Sequence, residues 1–75
     1  MLKSVEKLIR DARYGKKSAK YGNHSMMQTK EKIYYFYYNT CICAVDKTTN
    51  KVKYDASYGS SSTTRAVNSY RQYYN

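Results

Sequence analysis

Apolar residues recur at helical spacing near the start of the chain. They lie three or four residues apart, and charged residues fill most of the positions between them. The apolar positions are Leu2, Val5, Leu8, Ile9 and Ala12. This pattern is typical of an amphipathic helix with one buried face. It predicts a helix over residues 3–13, and Gly15 is placed to end that helix.

The strongest strand pattern is IYYFYYNTCICAV at residues 33–45, which is rich in aromatic and β-branched residues and has no glycine or proline. We expect one strand that is apolar on both faces, in which Asn39-Thr40 could mark a bulge. One face would carry Ile33, Tyr35, Tyr37, Cys41, Cys43 and Val45. The other would carry Tyr34, Phe36, Tyr38, Ile42 and Ala44. Such a strand is either covered twice or presents one face to a partner.

Weaker patterns flank this strand. Residues 14–25 are polar and basic and contain two glycines, so they predict a basic loop or a frayed extension of the helix. Residues 26–29 could form a short strand. The sequence DKTTN at 46–50 has the length and composition of a hairpin turn. Residues 51–57 alternate in polarity, which predicts a half-buried strand. Its inner positions would be Val52, Tyr54 and Ala56, and its outer positions Lys51, Lys53 and Asp55.

A second helix is predicted over residues 63–74. Gly59 breaks the preceding strand, and the serine and threonine residues at 60–64 are good N-caps. The apolar stripe of this helix would be Val67, Tyr70 and Tyr74, joined by Ala66 and Tyr73. The polar face would be Arg65, Asn68 and Gln72, with Arg71 beside it. Residues 1–75 are therefore expected to form one α+β domain, in which two helices flank a two- or three-stranded antiparallel sheet within 26–57.

Composition indicates how such a chain forms a core. Leu, Ile, Val and Phe together number ten, and the net charge is +9. This balance is normally typical of disorder, because too little apolar area is available to offset chain entropy. The chain also has eleven tyrosines, and each buried tyrosine removes about 150–250 Å² from water. We therefore expect a core built partly from tyrosine.

The charge balance indicates a class of partner. Fourteen Lys and Arg residues stand against five Asp and Glu residues, which is typical of nucleic-acid binding. An anionic membrane surface, an acidic protein or plain solubility would also explain the charge. No apolar segment resembles a signal peptide or approaches the roughly 20 residues that span a bilayer. We therefore expect a cytoplasmic protein without a membrane partner.

Few residues are suited to chemistry. Cys41 and Cys43, two positions apart, are expected to point the same way as free thiols. With His24 as the only histidine, the chain cannot complete a four-ligand zinc site alone. The five carboxylates form no motif, and neither a glycine-rich phosphate loop nor a nucleophile elbow occurs. The sequence predicts no metal, no cofactor and no enzymatic activity.

The second half of the chain carries a recognisable pattern between Tyr37 and Tyr73. Its elements are an aromatic strand, Asn39-Thr40, a hydrophobic strand and a hairpin, followed by Tyr58 and by Ser61-Ser62-Thr63-Thr64, which opens a short helix with Asn68. This pattern resembles a group of small bacteriophage proteins with a Tyr-x-Thr … Tyr-Ser-x-Thr-Thr … Asn signature. The resemblance implies a phage-encoded protein acting in the cytosol of a bacterial host. Small phage proteins of this kind include inhibitors of host defence nucleases, so an anti-CRISPR-like role is also implied.

Basic and aromatic residues are the candidates for nucleic-acid binding. Lysine and arginine neutralise phosphates, and tyrosine rings stack on unpaired bases. The expected phosphate contacts are Lys16, Lys17, Lys20, Lys51, Lys53, Arg65 and Arg71. The expected stacking residues are Tyr34, Tyr38 and Tyr54. Asn68, with Arg65, could read base edges, and the Ser/Thr run before it could hold a phosphate.

Each of these residues also has a structural interpretation. The rings could simply form the core, and the polar helix face could simply be solvated. The tyrosines could instead bind a protein, including a second copy in a homodimer. The leading hypothesis is a phage-type protein that binds nucleic acid or a nucleoprotein and acts by occlusion. The alternative is a protein-binding inhibitor of a bacterial defence nuclease.

Overall fold

The chain folds as a helix, a five-stranded antiparallel meander and a second helix. The computed structural model describes residues 1–55 and 60–74. The elements are α1 (Lys3–Arg13), β1 (Ser18–Tyr21), β2 (His24–Gln28), β3 (Lys32–Tyr37), β4 (Thr40–Asp46), β5 (Val52–Tyr54) and α2 (Ser61–Tyr74). The sheet order is β1-β2-β3-β4-β5. The predicted α+β class is confirmed, but the prediction of two or three strands was too low.

The end of α1 shows why its prediction was accurate. Gly15 has a φ of +85°, a conformation that glycine adopts without a steric penalty. The amide of Lys16 donates to the Asp11 carbonyl at 3.1 Å, and the amide of Gly15 donates to the Ala12 carbonyl at 3.0 Å. These two bonds form a Schellman motif, which satisfies carbonyls at the helix end. The predicted helix over 3–13 is confirmed.

A hairpin replaces much of the loop predicted over 14–25. Strands β1 and β2 pair as far as Tyr21 and His24, and Gly22 and Asn23 form the two-residue turn between them. Gly22 has a φ of +62°, which such short hairpin turns require. The loop prediction was wrong from Ser18 onward, because Ala19 and Tyr21 pack on the core while polar neighbours face away. The short strand predicted at 26–29 exists as β2, but it begins at His24.

The single strand predicted over 33–45 is also wrong, because the chain reverses within it. Tyr38 and Asn39 form a turn between β3 and β4, and Tyr38 has a φ of +56°. An unbroken strand of that length would measure about 43 Å, whereas the longest dimension of the molecule is 31 Å. The reversal lets both halves of the apolar run lie over the same core.

A bulge in β4 changes the faces on which its residues lie. Tyr35 pairs with Cys43 and Phe36 pairs with Cys41, so Ile42 is the extra residue. Ile42 and Cys43 are both buried, and Cys41 shares a face with Phe36. The predicted faces of Cys41 and Ile42 were therefore wrong, and so was the expectation that the two thiols point the same way. The expected bulge site, Asn39-Thr40, belongs instead to the turn and the start of β4.

The core lies between one face of the sheet and the two helices. The prediction that tyrosines form part of the core is confirmed. Tyr35 and Tyr70 are fully buried, and their ring centroids lie 4.5 Å apart. The Tyr35 and Tyr74 hydroxyls form a hydrogen bond of 2.6 Å. The other buried apolar residues are Val5, Leu8, Ile9, Ala12, Met26, Ile42, Cys43, Val45, Ala66 and Val67.

The elements after β4 largely follow the sequence prediction. The turn predicted at 46–50 is confirmed, and the Asp46 carboxylate accepts a bond of 2.9 Å from the Thr48 amide. Strand β5 is shorter than the predicted 51–57, and its predicted positions Ala56 and Ser57, like the break at Gly59, lie outside the described residues. The Ser60 hydroxyl caps α2 by accepting a bond of 3.1 Å from the Thr63 amide.

A buried carboxylate ties the β1–β2 hairpin to α1. Asp11 is 2% exposed and accepts a hydrogen bond from the Tyr21 hydroxyl. Arg10 Nε and Lys16 Nζ lie 3.6 Å and 3.8 Å from its oxygens. The Tyr21 hydrogen bond, helped by both cations, holds the pKa of Asp11 below its ordinary value. The ionised carboxylate is therefore part of the packing of the hairpin.

This contact predicts a pH-dependent loss of stability. A carboxyl group with a lowered folded-state pKa stabilises the fold above its unfolded pKa of about 3.9 and loses that contribution as the pH falls through the folded value. We expect Asp11→Asn to be less stable than wild type at neutral pH, and we expect this difference to shrink below about pH 4. Urea denaturation across pH measures it. Glu31→Gln, on an exposed turn, is the control, and a pH-independent difference for Asp11→Asn would contradict the assignment.

Candidate nucleic-acid interface

The sheet has a second face that neither helix covers. Because directly opposed residues of antiparallel strands share a face, the register defines this surface, which we call the open face. One row across the five strands is Ser18, Met27, Tyr34, Ala44 and Lys53. A second row is Lys20, Ser25, Phe36 and Cys41. A third pair is Lys32 and Asp46.

Two aromatic rings occupy the centre of the open face. Tyr34 and Phe36 lie on the middle strand, β3, and both are half-buried, whereas Tyr35 between them is fully buried on the core face. Residues two apart on a strand are separated by about 7 Å. Met27 lies beside Tyr34 and is 52% exposed. The result is a partly exposed apolar platform at the middle of the sheet, on the side that neither helix covers.

Lysines surround this platform. Lys20 and Lys53 lie on the two edge strands, which are separated by about 19 Å at the usual strand spacing. Lys32 lies at the start of β3. A hollow of about 360 Å³ at the β4–β5 side is lined by Lys32, Lys51 and Lys53 together with Ala44 and Asp46. Cations can therefore contact phosphates on several sides of a chain lying across the rings.

Among the described residues that line this hollow, Asp46 is the one carboxylate. Its oxygen accepts bonds from the Thr48 amide and hydroxyl, at 2.9 Å and 2.6 Å. The Thr48 bonds, with Lys32 nearby, lower the pKa of Asp46, so it is ionised at neutral pH. Its carboxylate already accepts hydrogen bonds from the turn, and three lysines line the same hollow. The hollow therefore carries a net positive charge.

Some of the predicted site residues meet on the open face. Tyr34, Lys20 and Lys53 lie on it, and Lys51 lines its hollow. Tyr38 is 61% exposed in the β3–β4 turn, where its hydroxyl accepts a bond of 3.1 Å from the side-chain Nδ2 of Asn23.

Lys16 and Lys17 precede β1 and are exposed. Lys16 is also an ion-pair partner of Asp11. Neither belongs to the paired rows of the open face.

Other predicted residues lie on the helix side of the sheet. Tyr54 pairs with Cys43 on the core face, and the Arg71 guanidinium lies 4.7 Å from its ring centroid. Tyr54 is therefore not on the open face with Tyr34 and Lys53. Arg65 and Asn68 are exposed on α2, where they line a hollow of about 230 Å³ with Gln72. The Ser/Thr run at the start of α2 was considered for phosphate binding. The Thr63 amide of that run already donates a hydrogen bond to the Ser60 hydroxyl.

Phe36 and Lys32 belong to the open face and were absent from the predicted site. The alternation of β3 had already placed Phe36 beside Tyr34, so the signal was available. Cations also lie on the helix side, including Arg65 and Arg71. The distribution of cations therefore does not show which surface binds nucleic acid. The rings of Tyr34 and Phe36, which neither helix covers, favour the open face.

Other kinds of site find little support among the described residues. In residues 1–55 and 60–74, no three His, Cys, Asp or Glu side chains cluster in a way that could hold a metal ion. Neither of the two described helices is long and apolar enough to cross a membrane.

Comparison with known proteins gives no relative from which a function could be transferred. No family model matches the chain, and neither a curated protein nor a solved structure matches it. The resemblance to small bacteriophage proteins therefore stays a prediction, and any functional conclusion depends on the geometry of the open face.

Proposed function

We propose that this protein binds single-stranded nucleic acid, free or within a nucleoprotein, on the open face of its sheet. The observation that carries the proposal is the pair Tyr34 and Phe36, half-buried on the side of the central strand that faces away from both helices, with Lys20, Lys32 and Lys53 around them. Sheets that carry aromatic residues in this way stack two or three unpaired bases. Each stacked base contributes about 1–3 kcal/mol.

The same geometry favours a single strand over a duplex. Rings at the centre of a sheet contact the faces of bases, which a stacked duplex does not present. It also disfavours pairing of two open faces in a homodimer. Each copy brings three lysines and one aspartate to the rows of that face, so two copies would oppose like charges.

The action proposed is occlusion. A bound strand would be shielded from a nuclease or a pairing partner without any bond being made or broken. The expectation that this occurs in a bacterial cytosol comes from the phage resemblance, and it stays a prediction.

A salt titration tests the proposal. Single-strand binding that releases ions at three phosphates has a slope of about −2 in log K against log salt. We therefore expect affinity for fluorescent single-stranded RNA or DNA to fall about twentyfold between about 50 and 200 mM salt. A duplex of the same sequence should bind more weakly. Fluorescence anisotropy measures both.

Lysine variants assign that slope to the open face. Lys20→Gln, Lys32→Gln and Lys53→Gln should each reduce its magnitude by about 0.7. Arg65→Gln, which removes an exposed cation from α2, is the matched control and should leave the slope unchanged. Binding weaker than about 1 mM at low salt, or a slope that responds equally to all four variants, would refute the proposed surface.

A further inference from the structure

A second uncovered apolar surface lies between the two helices. Five large hydrophobic residues of the described chain are exposed, and three of them line one cleft: Met1 at 46%, Tyr14 at 79% and Tyr73 at 40%. Ile9 lies at its base, and the cleft has a volume of about 480 Å³. Exposed apolar side chains scattered singly are ordinary, but their convergence on one concave surface is typical of a binding site.

The charged residues of this cleft are Glu6, Arg10 and Arg13. Arg10 already lies 3.6 Å from Asp11, whereas Arg13 forms no ion pair with any described residue. Tyrosine, methionine and arginine are the residue types enriched at protein interfaces, whereas lysine is depleted there. None of the described residues that line the cleft is a lysine, in contrast to the hollow on the open face.

We infer that this cleft, which we call the helix cleft, docks an acidic segment of a partner protein through an apolar anchor side chain. The anchor would lie between Tyr14 and Tyr73, and flanking carboxylates would pair with Arg10 and Arg13. The net charge of +9 attracts such a segment at long range. A second copy of this chain carries the same charge and is repelled. A nucleic-acid strand carries a phosphate at every nucleotide and would place one against Glu6, whereas a peptide can carry its carboxylates opposite the two arginines alone.

The helix cleft is independent of the open face, since its residues belong to α1, α2 and the positions flanking α1. The protein would thus have one surface for a polyanion and another for a protein. That arrangement suits an occluding factor that must also be brought to its target.

Selection from a random peptide library tests the inference. The full-length wild-type chain is the bait, and peptides that also bind the double variant Tyr14→Ser/Tyr73→Ser are removed. Both tyrosines are exposed, so circular dichroism should show an intact fold. Enriched peptides are expected to carry a large apolar residue flanked by Asp or Glu. Their affinity for Tyr14→Ser/Tyr73→Ser or for Arg13→Glu should be weaker by about tenfold or more.

Tyr38→Ser is the matched control, since Tyr38 is another exposed tyrosine far from the cleft in sequence; it should leave peptide affinity unchanged. No enrichment, or enrichment of neutral or basic peptides, would overturn the inference. Self-association that Tyr14→Ser/Tyr73→Ser abolishes would assign the helix cleft to a second copy instead. If Tyr14→Ser/Tyr73→Ser instead lost affinity for oligonucleotides, the helix cleft would be a nucleic-acid site. That result would not depend on what the open-face variants show.

Discussion

Replacing Tyr34 and Phe36 by threonine is expected to weaken single-strand binding by about 2–6 kcal/mol, at least about thirtyfold in affinity. Both rings lie on the open face of β3, and each is positioned to stack on one base. Threonine is chosen because it favours strands, so the sheet should persist without its platform. Fluorescence anisotropy with single-stranded oligonucleotides measures the loss.

The control for this variant removes two aromatic rings elsewhere. Tyr14→Ser/Tyr73→Ser deletes rings of the helix cleft and should bind oligonucleotides as wild type does. The platform variant should in turn keep wild-type affinity for peptides selected on the helix cleft. If Tyr34→Thr/Phe36→Thr binds oligonucleotides normally while remaining folded, the open face is not the nucleic-acid surface, whatever the lysine variants show.

Replacing Tyr35 by alanine should be the most damaging core change. Its ring is 0% exposed and lies 4.5 Å from the ring of Tyr70, and its hydroxyl bonds that of Tyr74. Truncating a buried aromatic costs about 3–5 kcal/mol. The whole free energy of unfolding of a chain this size is about 4–11 kcal/mol. We therefore expect Tyr35→Ala to be largely unfolded, or to unfold at much lower urea concentration.

Tyr35→Phe separates packing from hydrogen bonding at the same position. It keeps the ring and removes only the hydroxyl, so it should cost about 1 kcal/mol. Urea denaturation followed by circular dichroism compares the two variants. A Tyr35→Ala chain within about 1 kcal/mol of wild type would show that the core does not depend on this ring.

The parts of the fold that the sequence predicted well are those with local signals. Helix α1 has regular apolar spacing and Gly15 as its stop, and α2 has Ser60 as its cap. Strand β1 had no such signal. Its residues are polar except at Ala19 and Tyr21, and it is a strand because those two pack on the core while its other face carries Lys20 at the sheet edge.

The reversal between β3 and β4 was hidden for a different reason. Its turn residues are Tyr38 and Asn39, with no glycine to mark them, although Tyr38 takes a positive φ. The energy of that conformation is offset by tertiary packing, because the reversal brings both apolar segments onto one core. Composition and local propensity cannot detect a turn that is fixed in this way.

The candidate site was predicted in part. Tyr34, Lys20 and Lys53 were named from residue type and alternation, and the fold places them on one face. Tyr54 and Lys53 were both candidates by residue type, although the alternation predicted for residues 51–57 already placed them on opposite sides of the strand, as the structure has them. The alternation predicted for β3 also placed Phe36 on the same face as Tyr34. Applying strand periodicity to both strands would therefore have predicted Tyr34 and Phe36 as the aromatic pair and left Tyr54 out.

The bulge in β4 has a practical consequence for the two cysteines. It turns Cys41 toward the open face beside Phe36 and leaves Cys43 1% exposed, where burial raises its pKa to about 12. An internal disulfide between them would have to cross the sheet, which the geometry of such a bond does not allow. Cys41 is half-buried, and burial raises its pKa as well. A maleimide dye should therefore attach to the folded chain slowly and at Cys41 alone, and to both thiols only after denaturation. The natural sequence thus provides a single labelling position next to the aromatic platform, without any cysteine having to be introduced or removed.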